Sequence, residues 1–232
     1  MRSIAIYVEG GGDTAQQKAE LRVGLDRLLA RQKDAARAKR LGWKLVPCGG
    51  RSSAYRAFVN AVRQGVGPAL CILLVDSEEG LPPELAVAGT ETDDEREHRQ
   101  RQDAQVRRDH LVNRDGWSFD GIEVHRLHLM VVCMETWIVA DPDAMASYYG
   151  PDFRRNSLPQ RPNLEEEPKS TLYARLADAT RNTTKGAYSD SNNAKIKHAS
   201  KLLARLNPVR VASRCPRFAT LTTWLNRQIQ EA

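Results

Sequence analysis

The stretch that decides the fold is ALCILLVDSEE, residues 69–79. Its apolar residues run without interruption to Val75, and the run then stops at Asp76, Ser77, Glu78 and Glu79. Central strands of a parallel sheet are buried on both faces, so they appear in sequence as continuous apolar segments. The stretch therefore predicts a buried parallel strand with acidic residues at its carboxyl end.

Two further strands are predicted on the amino-terminal side, at residues 3–8 and 43–47. Apolar residues at helical spacing predict a helix over residues 17–38, capped by Asp13 or Thr14. A second helix is predicted from an N-cap at Ser52 or Ser53 to about residue 63. Strands that alternate with helices in this way are typical of the α/β class with a parallel sheet and helices on its faces.

The carboxyl-terminal side continues the pattern and then changes. Residues 80–105 predict a mobile surface loop that leads into a charged helix near 95–112. A fourth strand follows at 124–132, and then a helix at 135–149 that is interrupted at Asp141 and Pro142. After a connector come basic amphipathic helices near residues 170–182, 194–206 and 216–230. We therefore expect a domain over residues 1–150 and a basic helical extension over 151–232 that packs on it.

Composition narrows the class of protein. The chain has 232 residues, of which 41% are hydrophobic, a net charge of +6 and a pI near 9.3. No apolar run reaches the roughly 18 residues of a membrane span, and the first residues lack the apolar segment of a signal peptide. We therefore expect a cytoplasmic protein. The widely spaced Cys48, Cys71, Cys133 and Cys215 argue against a zinc site, and the basic bias is compatible with a polyanionic partner.

Acidic residues follow three of the predicted strands. Glu9 follows the first strand, Asp76 and Glu78 follow the third, and Glu135 follows the fourth. Ligands of open parallel sheets bind beyond the carboxyl ends of the strands, so these side chains should converge. A single acid at such a place more often caps a helix. Three together would repel one another without a cation, and carboxylate oxygens are the ligands that Mg²⁺ prefers, so the set predicts a metal site.

Two other features near the strand ends suggest phosphate binding. Gly10 and Gly11, within a glycine triplet, permit positive φ and close approach of a ligand to the backbone, although a simple turn would need the same residues. Arg51 follows the second strand, where it would either clamp a phosphate in a bidentate manner or lie solvated on the surface.

Four segments together resemble a family of small bacterial proteins with a toprim-like fold. They are YVEGGGD at 7–13, CGGR at 48–51, LLVDSEE at 73–79 and HLMVVCMETWIVAD at 128–141. Members are often encoded beside an ABC- or OLD-type ATPase in phage-defence loci, as is the toprim effector of the PARIS system. The resemblance implies a toprim-like parallel sheet with Glu9, Asp76 and Glu78 as metal ligands. It also places Glu135 near the same site.

The resemblance implies an Mg²⁺- or Mn²⁺-dependent endonuclease. Its substrate would be RNA, such as tRNA, or DNA, and it would act in anti-phage defence with the ATPase as partner. A homodimer is compatible with this hypothesis. Lys195 and Lys197, in the basic tail, would contact substrate phosphates. The alternative is a non-catalytic interaction module that docks on the ATPase, and primase-like nucleotidyl transfer is a third hypothesis.

Overall fold

A four-stranded parallel sheet forms the centre of the molecule. The computed structural model describes residues 2–65, 69–82, 92–189 and 195–232. The strands are β1 (Ser3–Val8), β2 (Gly42–Pro47), β3 (Ala69–Asp76) and β4 (Leu127–Met130), in the order β2-β1-β3-β4. The α/β class, the parallel sheet and the helical carboxyl-terminal part are as predicted.

The register of the sheet brings the carboxyl ends of β1 and β3 to one edge. Val8 pairs with Leu74, and Asp76 pairs with Met130 of β4. The amide of Glu9 donates to the carbonyl of Leu74 at 3.0 Å, so the ladder continues one residue past β1. Glu9 and Asp76 therefore leave neighbouring strands side by side.

The amino-terminal helices differ from the prediction at their ends. The single helix expected over 17–38 is two helices, α1 (Ala15–Leu28) and α2 (Ala30–Ala38), because the backbone leaves helical geometry at the fully buried Leu29. Thr14 caps α1 through a capping box with Gln17, as one of the two predicted caps. Helix α3 (Arg51–Arg63) begins at Arg51 after Gly50, so neither Ser52 nor Ser53 is its N-cap.

Helix α4 (Asp93–Asp115) confirms the charged helix predicted near 95–112 and extends beyond it at both ends. Thr92 caps it through a capping box with Glu95. The mobile loop predicted over 80–105 overlaps this helix and is wrong from residue 93 on, where the chain is helical and includes the buried Asp103 and Ala104. Low hydropathy misled the prediction because some of the charged residues of α4 face inward. The part of the predicted loop at 83–91 lies outside the described residues.

The remaining helices follow β4, which is shorter than predicted because Val124–Arg126 form a 3-10 turn. The helix predicted over 135–149 is interrupted as expected, and Asp141 caps its second half. A π-helical turn, Lys195–Ala199, precedes α8, and α9 was not predicted. The helices are α5 (Met134–Val139), α6 (Pro142–Tyr149), α7 (Lys169–Thr180), α8 (Ser200–Leu203), α9 (Pro208–Arg214) and α10 (Pro216–Gln230).

The carboxyl-terminal helices pack directly on the sheet domain. Helix α8 lies on α1, and α10 lies on α2 and β4. One apolar core runs across residue 150, while the predicted division of the chain at that residue stays a prediction. Within the described residues, no helix combines the length and the apolar character that a bilayer span requires.

A group of buried charged side chains holds the extension in place. We call it the ion network. Arg217 of α10 pairs with Asp103 of α4 at 3.0 Å and with Glu165 of the connector at 3.4 Å. Arg107 of α4 pairs with Asp103 at 3.0 Å and donates to His128 Nδ1 at 2.7 Å. The network therefore ties α4, β4, α10 and the connector together.

Candidate metal centre

Three of the predicted acids converge at the carboxyl edge of the sheet. Glu9, Asp76 and Glu78 each present one carboxylate oxygen, and these oxygens all lie within 4.8 Å of one another. Asp76 is buried, while Glu9 and Glu78 are half-buried. We call these residues the acidic triad. Their convergence agrees with the sequence analysis, and their role as metal ligands stays a prediction.

Backbone amides orient two acids of the triad. The amide of Met134, at the start of α5, donates to Asp76 Oδ1 at 2.9 Å. The amide of Asp76 donates in turn to Glu9 Oε2 at 3.1 Å. These bonds stabilise the ionised carboxylates and fix the direction of their remaining oxygen lone pairs.

The backbone around the third acid is held in an unusual conformation. Glu78 and Val132 have φ values of 71° and 62°, and the amide of Glu78 donates to the carbonyl of Val132 at 2.8 Å. Ser77 Oγ accepts from the amide of Val132 at 2.7 Å. Left-handed backbone at residues other than glycine is costly and clusters at functional sites. These contacts fix the backbone from which the Glu78 carboxylate reaches the other two acids of the triad.

Arg51 lies on one side of the triad. Its guanidinium forms a bidentate pair with Asp115 at 3.0 and 2.7 Å, lies 3.5 Å from Glu9 Oε2 and also donates to the carbonyl of Asp76. It stacks over Trp117 at 5.1 Å. The side chain is only 13% exposed, so the solvated-surface interpretation is wrong. The fork that would clamp a phosphate instead holds Asp115.

The pKa shifts of Arg51 and Asp115 both favour the charged form of the pair. Burial alone would raise the pKa of Asp115, but hydrogen bonds and charge from Arg51 outweigh it and lower that pKa. Burial would likewise lower the pKa of Arg51, yet Asp115 and then Glu9 raise it. Both groups therefore stay charged at neutral pH, and Arg51 is a fixed support for Glu9.

Lys169 lies on the other side of the triad. This first residue of α7 pairs its Nζ with Glu78 Oε2. Its side chain is about one-third exposed, so it reaches the site from the solvent side. Sequence analysis missed this contact, since nothing local distinguishes Lys169 from the other lysines of the carboxyl-terminal part.

Glu135 does not belong to the acidic triad. It is fully buried in α5, and its Oε1 accepts a hydrogen bond from Tyr188 Oη at 2.7 Å. Burial, followed by the charge of Glu135, raises the pKa of Tyr188 well above its usual value. The neighbouring amide of Met134 contacts Asp76, but the Glu135 carboxyl turns into the interior. The segment at 128–141, which the resemblance placed at the site, therefore contributes the backbone amide of Met134 and not the carboxylate of Glu135.

Two other acids also have separate surroundings. Asp141 caps α6, accepts from the amide of Asn207 at 2.8 Å and pairs with Arg210. Glu79 is 67% exposed and lies 3.8 Å from His110, whose Nε2 is 2.9 Å from the carbonyl of Ser77. Neither acid is part of the triad among the residues that the structure describes.

One family matches nearly the whole chain. Its description is Domain of unknown function (DUF4276), and it matches residues 8–226. The chain belongs to the DUF4276 family. No curated protein and no solved structure matches it. The DUF4276 match includes all three acids of the triad together with Arg51, Asp115 and Lys169.

The glycine triplet of this DUF4276 chain borders the triad. Gly10, Gly11 and Gly12 all have positive φ, as the prediction of a special backbone requires. Gly10 forms an antiparallel bridge with Gly49, with amide-to-carbonyl distances of 2.7 and 3.0 Å. A Cβ on Gly11 would lie 3.1 Å from the backbone of Lys18 and 3.2 Å from Pro47. The loop therefore folds tightly against α1 and β2.

Part of the basic tail of the DUF4276 chain forms a compact surface. Lys185 and Arg205 lie over the ring of Tyr148, at 5.1 and 5.3 Å. His198 bonds the hydroxyl of Tyr148 at 2.8 Å, and its pKa is lowered by burial and then by Lys197, Lys201 and Lys185. We call the exposed Lys185, Lys197, Lys201 and Arg205 the basic patch.

Other cations of the tail serve the fold. Arg217 belongs to the ion network, Arg210 pairs with Asp143, and Arg214 donates to the carbonyls of Pro159 and Arg161. The side chain of Lys195, one of the two predicted phosphate contacts, lies outside the described residues. Lys197, the other, is exposed in the basic patch. The positive surface is therefore smaller than the sequence suggested.

Proposed function

We propose that this chain is an Mg²⁺- or Mn²⁺-dependent endonuclease that hydrolyses phosphodiester bonds in RNA, such as tRNA, or in DNA. The observation that carries this proposal is the acidic triad, with its three carboxylate oxygens within 4.8 Å of one another at the carboxyl edge of a parallel sheet. Ligands of such sheets bind at this edge.

The residues present fit a divalent cation. The donors are hard carboxylate oxygens, which Mg²⁺ and Mn²⁺ prefer. The amides of Met134 and Asp76 already hold two of the carboxylates in place. A bound cation would lower the pKa of a bound water and stabilise negative charge on the phosphate.

The flanking cations would have different tasks. Arg51 is held by Asp115, so it keeps Glu9 oriented and acts as a positioning residue. Lys169 is partly exposed and lies against Glu78. Its ammonium would hold a non-bridging oxygen of a substrate phosphate bound beside Glu78.

The basic patch supports a polyanionic substrate. Lys197 and Lys201 are exposed and next to the segment that packs on α1. Such cations would contact the phosphates of a strand that passes over the triad. We further propose that the protein acts in the cytoplasm, in anti-phage defence, with an ABC- or OLD-type ATPase as partner. This setting rests on the resemblance of the four sequence segments.

The interaction module remains the second candidate, because the basic patch would also fit an acidic face of the ATPase. The decisive assay incubates purified protein with Mg²⁺ or Mn²⁺ and tRNA, single-stranded RNA or duplex DNA. We expect cleavage by the native chain and by Glu123→Gln, a control at an exposed carboxylate. We expect none from Asp76→Asn. Absence of both Mn²⁺ binding and cleavage in the native chain would refute the nuclease proposal.

A further inference from the structure

A cavity of about 210 Å³ lies directly beside the acidic triad. It is bounded by the glycine loop, α1, the start of α5 and the junction between the π-helical turn and α8. The side chains on its wall are Gln17, Leu21, Met134, Ala199 and Ser200. One water needs only about 10–15 Å³ of such space, so the cavity has room for an organic group.

Two residues that line the cavity are linked to the triad, one by a peptide bond and one by a hydrogen bond. Gly10 follows Glu9 in the chain, and Met134 donates its amide hydrogen to Asp76 at 2.9 Å. A group that enters this cavity is therefore next to the place where the three carboxylates converge.

The wall chemistry suits a flat, neutral, hydrogen-bonding group. Leu21, Met134 and Ala199 are apolar, and none of the described lining residues is charged. The side chain of Gln17 accepts from the amide of Thr14 through Oε1 at 3.2 Å, so its NH₂ group is the end that can donate to a ligand. Ser200 adds a hydroxyl that can donate or accept. A nucleobase offers apolar faces and polar edges of this kind.

The same segment carries two lysine side chains that are exposed to solvent. Helices α1 and α8 touch at Gly24, where a Cβ would lie only 2.5 Å from the carbonyl oxygen of Ser200. This close approach places Ala199 and Ser200 over the glycine loop. Lys197 and Lys201 flank them in sequence and are exposed. The segment thus has cations on its exposed side and an apolar cavity on its buried side. This arrangement matches a nucleotide, which has a charged phosphate and an uncharged base.

We propose that the cavity receives one nucleobase of the substrate strand while the adjacent phosphate lies at the acidic triad. This inference rests on the proposed function, because the ligand is the substrate of that site. Paired and stacked bases cannot enter such a cavity without leaving the duplex. The substrate is therefore single-stranded, or unpaired at the cleavage position.

The test measures binding in Ca²⁺, so that strands are not cleaved. The probes are a labelled single strand, the same strand in a duplex, and the same strand with abasic sites, each as RNA and as DNA. Fluorescence anisotropy should show about tenfold tighter binding of the intact single strand. Ala199→Leu fills the cavity and should remove this preference, while the matched change Ala204→Leu, on the same segment outside the cavity, should keep it.

The outcomes separate the two proposals, because Mn²⁺ binding and cleavage are measured separately on the same proteins without Ca²⁺. Mn²⁺ binding and cleavage without any preference for bases would refute the base cavity and leave the nuclease proposal standing. A base preference without Mn²⁺ binding or cleavage would refute the nuclease proposal, and with it the place of the phosphate at the acidic triad, and would leave the cavity only as a base-binding site. If Ala199→Leu fails to fold, a competition experiment on the native protein tests the cavity instead. A nucleoside 5′-monophosphate should displace the labelled strand about tenfold better than ribose 5-phosphate, and equal displacement would overturn the cavity assignment.

Discussion

The acidic triad and the ion network are both clusters of charge, but they are completed in different ways. In the ion network, Asp103 and Glu165 face Arg107 and Arg217, and all four side chains are almost fully buried. Burial of an unpaired charge costs several kcal/mol, so such a cluster must neutralise itself within the chain. The network therefore needs nothing from outside.

The acidic triad is arranged differently. Glu9, Asp76 and Glu78 converge on one another, with Arg51 beside Glu9 and Lys169 beside Glu78. Three carboxylates brought together repel one another, and a cation from solution would relieve that repulsion. The contrast teaches that the convergence of like charges, rather than the burial of charge, marks the candidate site.

The largest effect is expected when two acids of the triad are replaced. The double variant Glu9→Gln, Asp76→Asn should lower the cleavage rate by about three orders of magnitude, since a metal contributes several kcal/mol to such reactions. Its free energy of unfolding should stay unchanged or rise, because repulsion between acids is removed. Single-turnover cleavage and urea denaturation measure the two quantities. Full cleavage by the folded double variant would exclude this site.

The next largest effect is a loss of stability when the ion network loses Arg217. Arg217→Met leaves Asp103 and Glu165 buried without their partner, so the free energy of unfolding should fall by about 3–5 kcal/mol. Urea denaturation measures this loss. Arg155→Met is the matched control on the surface, where loss of the pair with the exposed Asp143 should change little. A similarly small loss for Arg217→Met would contradict the difference drawn between the two clusters.

A smaller effect is the dependence of stability on pH, which arises from His128 in the ion network. Burial and then the charge of Arg107 lower the pKa of His128 well below its usual value, so the folded protein holds this ring neutral. The unfolded chain binds a proton below about pH 6.5, so stability should fall with pH below that value. The loss per group is at most about 1.4 kcal/mol per pH unit. His125 and His198, whose pKa values are also lowered, act in the same direction.

The variant His128→Gln separates His128 from the other histidines. Glutamine keeps an acceptor for Arg107 but does not titrate, so the decline in stability between about pH 6.5 and pH 5 should become shallower. Urea midpoints across this range measure the slope. An unchanged slope would place the proton uptake elsewhere.

The smallest effect concerns the basic patch, a cluster of one sign. Lys197→Glu with Lys201→Glu should weaken nucleic-acid binding and reduce the slope of a log–log salt plot by roughly two. Arg31→Glu with Arg37→Glu, on the exposed face of α2, makes the same charge change as a control. If binding is unaffected but the ATPase no longer associates, the patch is a docking surface.

Sequence reasoning found the triad because strand ends are visible locally. The apolar run of β3 and its abrupt end at Asp76 identify a central strand, and parallel topology then brings Glu9 to the same edge. Local signals also gave the cap at Thr14 and the interruption at Asp141. These features depend on neighbours in the chain or on one general rule of sheet geometry.

The remaining parts of the site depend on distant contacts. Lys169 meets Glu78 across 91 residues, and Asp115 meets Arg51 across 64. Many charged residues could have made either contact, and no spacing rule selects among them. Glu135 follows a strand as the triad acids do, but its side chain turns toward Tyr188. Helix α4 was partly mistaken for a loop because partners of its inward charges lie in α10 and β4.

The left-handed backbone at Glu78 sets the stability of the fold against the chemistry proposed for this residue. Any residue other than glycine in such a conformation costs about 1–3 kcal/mol, and asparagine tolerates it better than glutamate does. Exchange of Glu78 for glycine or asparagine should therefore relieve this strain and stabilise the fold, but it would remove one of the three carboxylates that we propose hold the cation. Position 78 is thus a place where a more stable protein and the proposed nuclease would require different residues.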